Sequence, residues 1–134
     1  FYLDFWKLGG LFDCIQFFEI DDDVPVKSAA SGVMNPSTVL AFLHIYKSKK
    51  HGGIINSAAA SALGRMLNRI CKSENIPLVN IVWKQKEVDL LRSEGAEHVI
   101  LTEGDWQPAY KQLVSKFKLN LLFVSLGGGE VTQK

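Results

Sequence analysis

A short apolar strand that runs through a turn of small residues into an amphipathic helix is the feature that most constrains the fold of this chain. Residues 54–64 read Ile-Ile-Asn-Ser-Ala-Ala-Ala-Ser-Ala-Leu-Gly. A strand–turn–helix unit directs backbone N–H groups and the positive end of a helix at one place, which suits a phosphate group. The turn is therefore a candidate dinucleotide site. The helical pattern after it has apolar residues at Leu63, Met66, Leu67, Ile70 and Cys71.

The glycine fingerprint of such a turn, G-x-G-x-x-G, corresponds here to Ala59, Ser61 and Gly64. In the fingerprint the first glycine makes the turn, the second admits the pyrophosphate and the third lets the helix approach the strand. All three residues are small, but two glycines are replaced. The spacing by itself therefore leaves two interpretations open, a phosphate site and an ordinary strand-to-helix turn.

Composition excludes several classes of function. The chain has 134 residues and a net charge of +1, which indicates one domain without a nucleic-acid or anionic-membrane surface. Cys14 and Cys71 are far apart and are not grouped with a histidine at ligand spacing, so we expect reduced thiols and no structural metal. No apolar run reaches the roughly 20 residues that span a bilayer. We expect an intracellular protein, with cytoplasmic and mitochondrial locations both open.

The first 20 residues are rich in aromatic side chains and predict one or two short strands or a hairpin. So many large apolar groups cannot all be covered by 20 residues, so we expect some to pack on the rest of the chain or on a partner. A homo-oligomer or larger assembly is one such arrangement. The start on Phe1, without Met, suggests a piece of a longer chain. The acidic turn at 21–23 is interpreted as a solvated loop rather than a metal site.

Strand and helix patterns alternate along the rest of the chain. A short helix is predicted over 26–32, and a second begins with Asn35 as N-cap and Pro36 at its first position. Further strands are predicted at 78–83, 98–101 and 119–126, and further helices at 86–93 and after a capping Asp105. The alternation predicts an α/β fold with a doubly wound parallel sheet, cut off after its fourth strand. The expected division is 1–25 and 26–134.

Four segments, in this order, resemble the medium-chain dehydrogenase/reductase superfamily, and within it the zinc-free quinone reductase and 2-enoyl thioester reductase branches. They are Ile-Asp-Asp-Asp-Val-Pro at 20–25 with Ala29-Ala30, Asn-Pro-Ser-Thr at 35–38, the turn at 57–64, and Leu-Leu-Arg-Ser-Glu-Gly-Ala-Glu-His-Val-Ile at 90–100. The resemblance runs from about residue 9 to the end. It implies a partial Rossmann-type domain for 26–134, with 1–25 as a remnant of a catalytic domain or a partner-facing segment.

The resemblance also implies a set of cofactor-binding positions. One group matches the turn that faces the pyrophosphate, with the amides near Ala62 and Leu63 as donors; a second lies beside the cofactor cleft; a third borders the nicotinamide ribose. Each has a plain structural alternative, because Asn35 can be only an N-cap and the glycines only a turn. The residues at the pyrophosphate turn are Ala59, Ser61, Ala62, Leu63 and Gly64. Those beside the cofactor cleft are Asn35 and Thr38, and those at the nicotinamide ribose are Gly127 and Gly128.

The end of the second predicted strand bears on the choice of nicotinamide cofactor. An NAD site usually has Asp or Glu there for the ribose 2′-OH, whereas a cation suits the 2′-phosphate of NADP. Here the strand is followed by Lys84 and Lys86, with no acid before Glu87. The pattern favours NADP(H). In the alternative interpretation both lysines belong to the solvated first turn of a helix. A separate observation counts against NADP(H): members of the family that the chain resembles often carry Arg at the position of Trp83, and this chain does not.

Two functions remain open at this stage. The resemblance implies the cofactor-binding portion of an NADPH-dependent oxidoreductase that reduces a small-molecule enone, quinone or enoyl thioester by hydride transfer. The alternative is a catalytically inactive Rossmann-type module that acts as a structural or interaction subunit, because a fold does not establish an activity. Relatives have a catalytic domain before the cofactor domain, with a Tyr or another acid over the substrate. No catalytic residue can be named in this chain.

Overall fold

From residue 54 onward, each apolar run of the sequence forms a strand and each amphipathic segment forms a helix, so strands and helices alternate along the chain. The computed structural model describes residues 20–49 and 51–124. It contains α1 (Val26–Ser31), α2 (Met34–Ser48), β1 (Ile54–Ser57), α3 (Ala62–Ser73), β2 (Leu78–Val82), α4 (Gln85–Ser93), β3 (His98–Leu101), α5 (Gln107–Phe117) and β4 (Leu121–Phe123). Among these residues no helix is both long enough and apolar enough to cross a bilayer.

The four strands form one parallel sheet in the order β3-β2-β1-β4. Ile54 at the start of β1 is in register with Leu78 of β2 on one side and with Leu121 of β4 on the other. The chain thus adds β2 and β3 on one side of β1 and then returns to place β4 on the other side of β1. The predicted doubly wound parallel sheet is confirmed, and its switch point lies between β1 and β4.

Helices cover both faces of the sheet. On one face, Ile54 and Leu78 pack with Val39 of α2 and Leu67 of α3, and Val82 packs with α4. On the other face, Ile55, Val79 and Ile81 pack against α5. Every residue of β1 and β2 is buried, which explains why these strands read as near-continuous apolar runs.

The starts of α2 and α5 differ from the sequence-based expectation. Asn35 is not the N-cap of α2, because the helix already begins at Met34 and Asn35 is its second residue. Asp105 is not the N-cap of α5, since Trp106 occupies that position without a side-chain cap. In both helices a proline lies within the first turn, where a backbone N–H would have no intrahelical acceptor. Proline is therefore tolerated at several first-turn positions and does not mark the exact start.

The chain divides into two compact units, Phe1–Ser31 and Gly32–Lys134. In the first, the described residues form an exposed acidic turn, in which Val24 N donates to Asp21 O at 3.0 Å, followed by α1. The strand or hairpin predicted over 1–20, with its expected partner contact, lies outside the described residues apart from Ile20. The same holds for the part of the fourth predicted strand beyond Val124.

Candidate dinucleotide site

The turn after β1 reverses the chain within four residues. Ala58 adopts a positive φ of 52°, a backbone conformation that residues with a Cβ rarely take. Ser61 N then donates to Ala58 O at 3.0 Å, which closes the turn. As a result, α3 starts directly beyond the carboxyl end of β1, at the edge of the sheet where the switch point lies.

Ser61 is the N-cap of α3. Its backbone is extended, with φ −67° and ψ 164°, and its Oγ accepts a hydrogen bond from Gly64 N at 3.1 Å. Arg65 N donates to Ser61 O at 2.9 Å. Within the described parts of the chain, the N–H groups of Ala62 and Leu63 have no acceptor. They are the two donors that the start of α3 can offer to an anion.

Gly64 brings α3 close to the strand. A Cβ at this position would lie 2.7 Å from both the Cα and the carbonyl carbon of Ala59, closer than such atoms can approach. Ala59 is fully buried beneath the helix, with 0% of its surface exposed. Gly64 therefore has the packing role of the third fingerprint glycine. The side chains of Ser61 and Ala62 remain exposed, so the surface of the turn is built from these two residues and Leu63.

Asn35 and Thr38 lie in the first turns of α2, and both are half-buried. Thr38 Oγ1 donates to Met34 O at 2.8 Å, so its hydroxyl is used within the helix. At the opposite end of α2, Lys47 Nζ lies 2.6 Å from Glu74 Oε2, just after α3 ends. Because α2 and α3 pack side by side, their first turns lie toward the same edge of the sheet. In the described structure no hydrogen bond joins Asn35 to the turn.

Lys84 and Lys86 follow β2, the neighbour of β1, and both are exposed. Neither has an ion-pair partner in the part of the chain that the structure describes. Glu87 is the nearest acid, and its Oε2 accepts from Trp83 N and Lys84 N, each at 3.2 Å. This carboxylate caps the start of α4 through the backbone and forms no ion pair with either lysine in the described structure.

An ion-pair cluster behind the turn was not expected from the sequence. Arg65 Nε donates to Glu94 Oε1 at 2.8 Å, its Nη2 contacts the same oxygen, and Arg69 Nη2 lies 3.4 Å from it. The hydrogen bond from Arg65 lowers the pKa of Glu94 and raises the pKa of Arg65. Arg65 is thereby paired and is not a free cation for a phosphate. In the sequence, the feature that could have indicated this ion-pair cluster is the spacing of Arg65 and Arg69, which places both arginines on one face of α3.

A second unexpected contact lies at the switch point itself. The hydroxyl of Ser57, the last residue of β1, donates to the carbonyl of Phe123 in β4 at 3.3 Å. Phe123 also stacks on Phe42 of α2, with ring centroids 3.6 Å apart. The Ser57 hydrogen bond joins the carboxyl ends of β1 and β4, where a ligand at the switch point would lie, and the ring stacking packs α2 against β4.

Other candidate groups are placed as follows. Gly127 and Gly128 lie outside the described residues. Cys71 is buried, and loss of solvation raises the pKa of its thiol to about 12, so it is not a reactive nucleophile. Within 20–49 and 51–124, no three His, Cys, Asp or Glu side chains are close enough to hold a metal ion.

The chain is similar in sequence to mitochondrial enoyl-[acyl-carrier-protein] reductases. It is 27% identical to that of Caenorhabditis elegans, 26% to that of Homo sapiens and 28% to that of Xenopus tropicalis, over 96%, 93% and 95% of this chain. It spans only 39%, 35% and 38% of the lengths of these relatives. No protein-family model matches the chain.

Solved structures share the fold. A candidate NADPH:quinone reductase from Mesorhizobium loti superposes with a TM-score of 0.74 at 22% identity, over 81% of this chain and 32% of the other. A mycobacterial protein in complex with NADPH superposes with a TM-score of 0.51 at 23% identity, over 69% and 29%. The chain therefore resembles members of the medium-chain dehydrogenase/reductase superfamily, in sequence along nearly its whole length and in the strand order described above, and it spans a little over a third of the length of these sequence relatives.

Proposed function

We propose that this chain is the cofactor-binding part of an oxidoreductase that uses NADPH. The observation that carries the proposal is the pair of N–H groups on Ala62 and Leu63, which have no acceptor among the described residues and lie at the first turn of α3 beside the switch point of the sheet. A pyrophosphate fits this donor set, because it is anionic and accepts hydrogen bonds from successive backbone amides at a helix start.

The preference for NADP(H) over NAD(H) rests on Lys84 and Lys86. In the described structure both ammonium groups lack a carboxylate partner, and Glu87 is occupied by backbone N–H groups rather than available for a ribose hydroxyl. A 2′-phosphate supplies the missing negative charge. NADPH in the complex of the structurally similar mycobacterial protein supports the same choice.

The proposed reaction is hydride transfer to an electron-poor double bond of an enone, quinone or enoyl thioester. The nicotinamide supplies the hydride when it is bound, and the protein supplies binding and orientation. Among the three acceptors, the enoyl thioester is favoured by the enoyl-[acyl-carrier-protein] reductases among the relatives. Their mitochondrial names favour mitochondria over the cytoplasm. No observation favours the alternative of an inactive module.

The proposal is tested by titrating the full chain with NADPH and with NADH while the thermal midpoint is followed. Ligand at about 100 times its dissociation constant stabilises the folded state by roughly 2.7 kcal/mol. We expect NADPH to raise the midpoint at lower concentration than NADH. Absence of a shift with either nucleotide overturns the proposed function, and an equal response to both overturns the choice of NADPH.

A further inference from the structure

A cavity of about 340 Å³ opens at the amino edge of the sheet, opposite the turn that begins α3. It is formed where α3 ends, β2 and β3 begin and α5 ends. Ile76, Pro77 and Phe117 give it apolar walls. Its volume is within the range of small-molecule pockets, roughly 300 to 1,000 Å³. Because the dinucleotide turn follows the carboxyl end of β1, this cavity is a separate site.

An unsatisfied buried amide lines the cavity. Asn68 of α3 is only 4% exposed, and its Oδ1 accepts a hydrogen bond from Asn80 Nδ2 at 3.1 Å. Its Nδ2 is buried and has no hydrogen-bond partner among residues 20–49 and 51–124. A buried donor without an acceptor destabilises a protein, so native structures seldom leave one unpaired. A ligand with an acceptor oxygen would satisfy this amide.

A lysine is held beside the same amide. Lys72 lies four residues after Asn68 on α3, so the two side chains are neighbours on one helix face. Gly95, with φ of 84°, leaves room for the end of the lysine side chain, because a Cβ there would clash with Nζ and would lie 3.3 Å from Cε. Within the described ranges Lys72 has no ion-pair partner, so its charge is available to the cavity.

We propose that this cavity binds a small amphipathic monoanion, specifically a medium-chain carboxylate. The carboxylate accepts hydrogen bonds from the Asn68 amide and the Lys72 ammonium, and the hydrocarbon chain lies along Ile76, Pro77 and Phe117. Glu97 also lines the cavity, with 82% of its side chain exposed and Oε2 4.0 Å from His98 Nε2. Its negative charge repels a dicarboxylate more strongly than a monocarboxylate, so a monoanion is preferred over a dianion.

The test uses sodium octanoate as the probe, titrated into the full chain by isothermal calorimetry. We expect saturable binding that Lys72→Met weakens by roughly tenfold, because methionine keeps the apolar stem and removes the charge. Lys111→Met, at an exposed lysine of α5 that does not line the cavity, is the matched control and should bind octanoate like the unaltered chain. Octan-1-ol, which lacks the charge, should bind more weakly than octanoate.

Any one of the following outcomes overturns the proposal. One is the absence of saturable octanoate binding to the unaltered chain. Another is binding that Lys72→Met leaves unchanged, and a third is octan-1-ol binding as tight as that of octanoate. Because Lys72 is exposed, its substitution should not unfold the chain, and circular dichroism of the variant checks this. A nitrogen-15 NMR spectrum gives an independent readout, since octanoate should shift the side-chain amide signals of Asn68; unmoved signals contradict the assigned head-group position.

Discussion

Ser61 Oγ accepts a hydrogen bond from the backbone N–H of Gly64 at 3.1 Å, at the first turn of α3. This contact uses one of the orphan donors at the helix start and leaves those of Ala62 and Leu63 without an acceptor in the described structure. The same serine therefore starts the helix and determines which amides remain available to an anion.

Removing this cap should destabilise the fold. We expect Ser61→Ala to lower the free energy of unfolding by about 1 kcal/mol, because Gly64 N–H loses its acceptor at the helix start. Urea unfolding measures the change. Ser61→Thr keeps the hydroxyl and should lose less; a threonine variant as unstable as the alanine variant would show that the hydrogen bond is not the cause.

Gly64→Ala tests the close approach of α3 to the turn. Helix propensity by itself predicts a gain of up to roughly 1 kcal/mol for this change. The added methyl group, however, would lie 2.7 Å from the Cα and carbonyl carbon of Ala59, which is backbone and cannot swing aside. We therefore expect a net loss of about 1–3 kcal/mol in urea unfolding. A variant more stable than the unaltered chain would contradict this packing role.

Charge reversal after β2 tests the proposed 2′-phosphate contact. We expect Lys84→Glu to weaken NADPH binding by roughly tenfold or more and NADH binding much less, because only NADPH carries the 2′-phosphate. Fluorescence titration of each reduced nucleotide measures both constants. Lys111→Glu changes the net charge equally on α5 and controls for long-range effects. Equal weakening of both nucleotides by Lys84→Glu would defeat the assignment.

The Arg65–Glu94 pair should make stability depend on pH in the acid range. Arg65 lowers the folded-state pKa of Glu94 below its ordinary value of 4.5, so the contribution is fully present above that value and is lost as the pH falls through the folded-state pKa. We expect Glu94→Gln to be less stable than the unaltered chain at pH 7, with a gap that narrows below pH 4.5.

Urea midpoints across this pH range measure the gap. Glu97→Gln is the matched control, because Glu97 is exposed and lies 4.0 Å from its histidine neighbour. It should change the midpoint little at any pH. A gap for Glu94→Gln that stays constant with pH would show that the carboxylate charge is not what stabilises the contact between α3 and the end of α4.

Two asparagines paired across β1 and β2 should respond in opposite directions to the same substitution. Asn56 is 0% exposed, and both of its side-chain polar atoms lack a hydrogen-bond partner in the part of the chain that the structure describes. We expect Asn56→Leu to raise the free energy of unfolding by about 1 kcal/mol, because an unsatisfied amide becomes an apolar group of similar size. Asn80→Leu should lower it, since Asn68 Oδ1 would lose its donor. Thermal unfolding distinguishes the two, and a loss for both would contradict the prediction for Asn56.

Local patterns in the sequence determined the elements of this fold. The run at 98–101 is the strand His98–Leu101, and the apolar run after Pro77 is β2, because a strand covered on both faces has few polar positions. Cap positions were less predictable. Asn35 and Asp105 have favourable cap side chains, yet α2 and α5 begin elsewhere, because the packing of the helix on the sheet also decides where its first turn lies.

The sequence by itself determined the alternation of elements, the small-residue turn and the candidate amides of Ala62 and Leu63, all of which depend on residues close together in the chain. Only the tertiary structure decided that β4 lies beside β1, that Ala59 is buried beneath Gly64, and that Glu94 pairs with Arg65 across 29 residues. It also brought Asn68, Lys72, Gly95 and Phe117 to one cavity. These contacts join residues distant in sequence, and packing rather than local preference decides which of them meet.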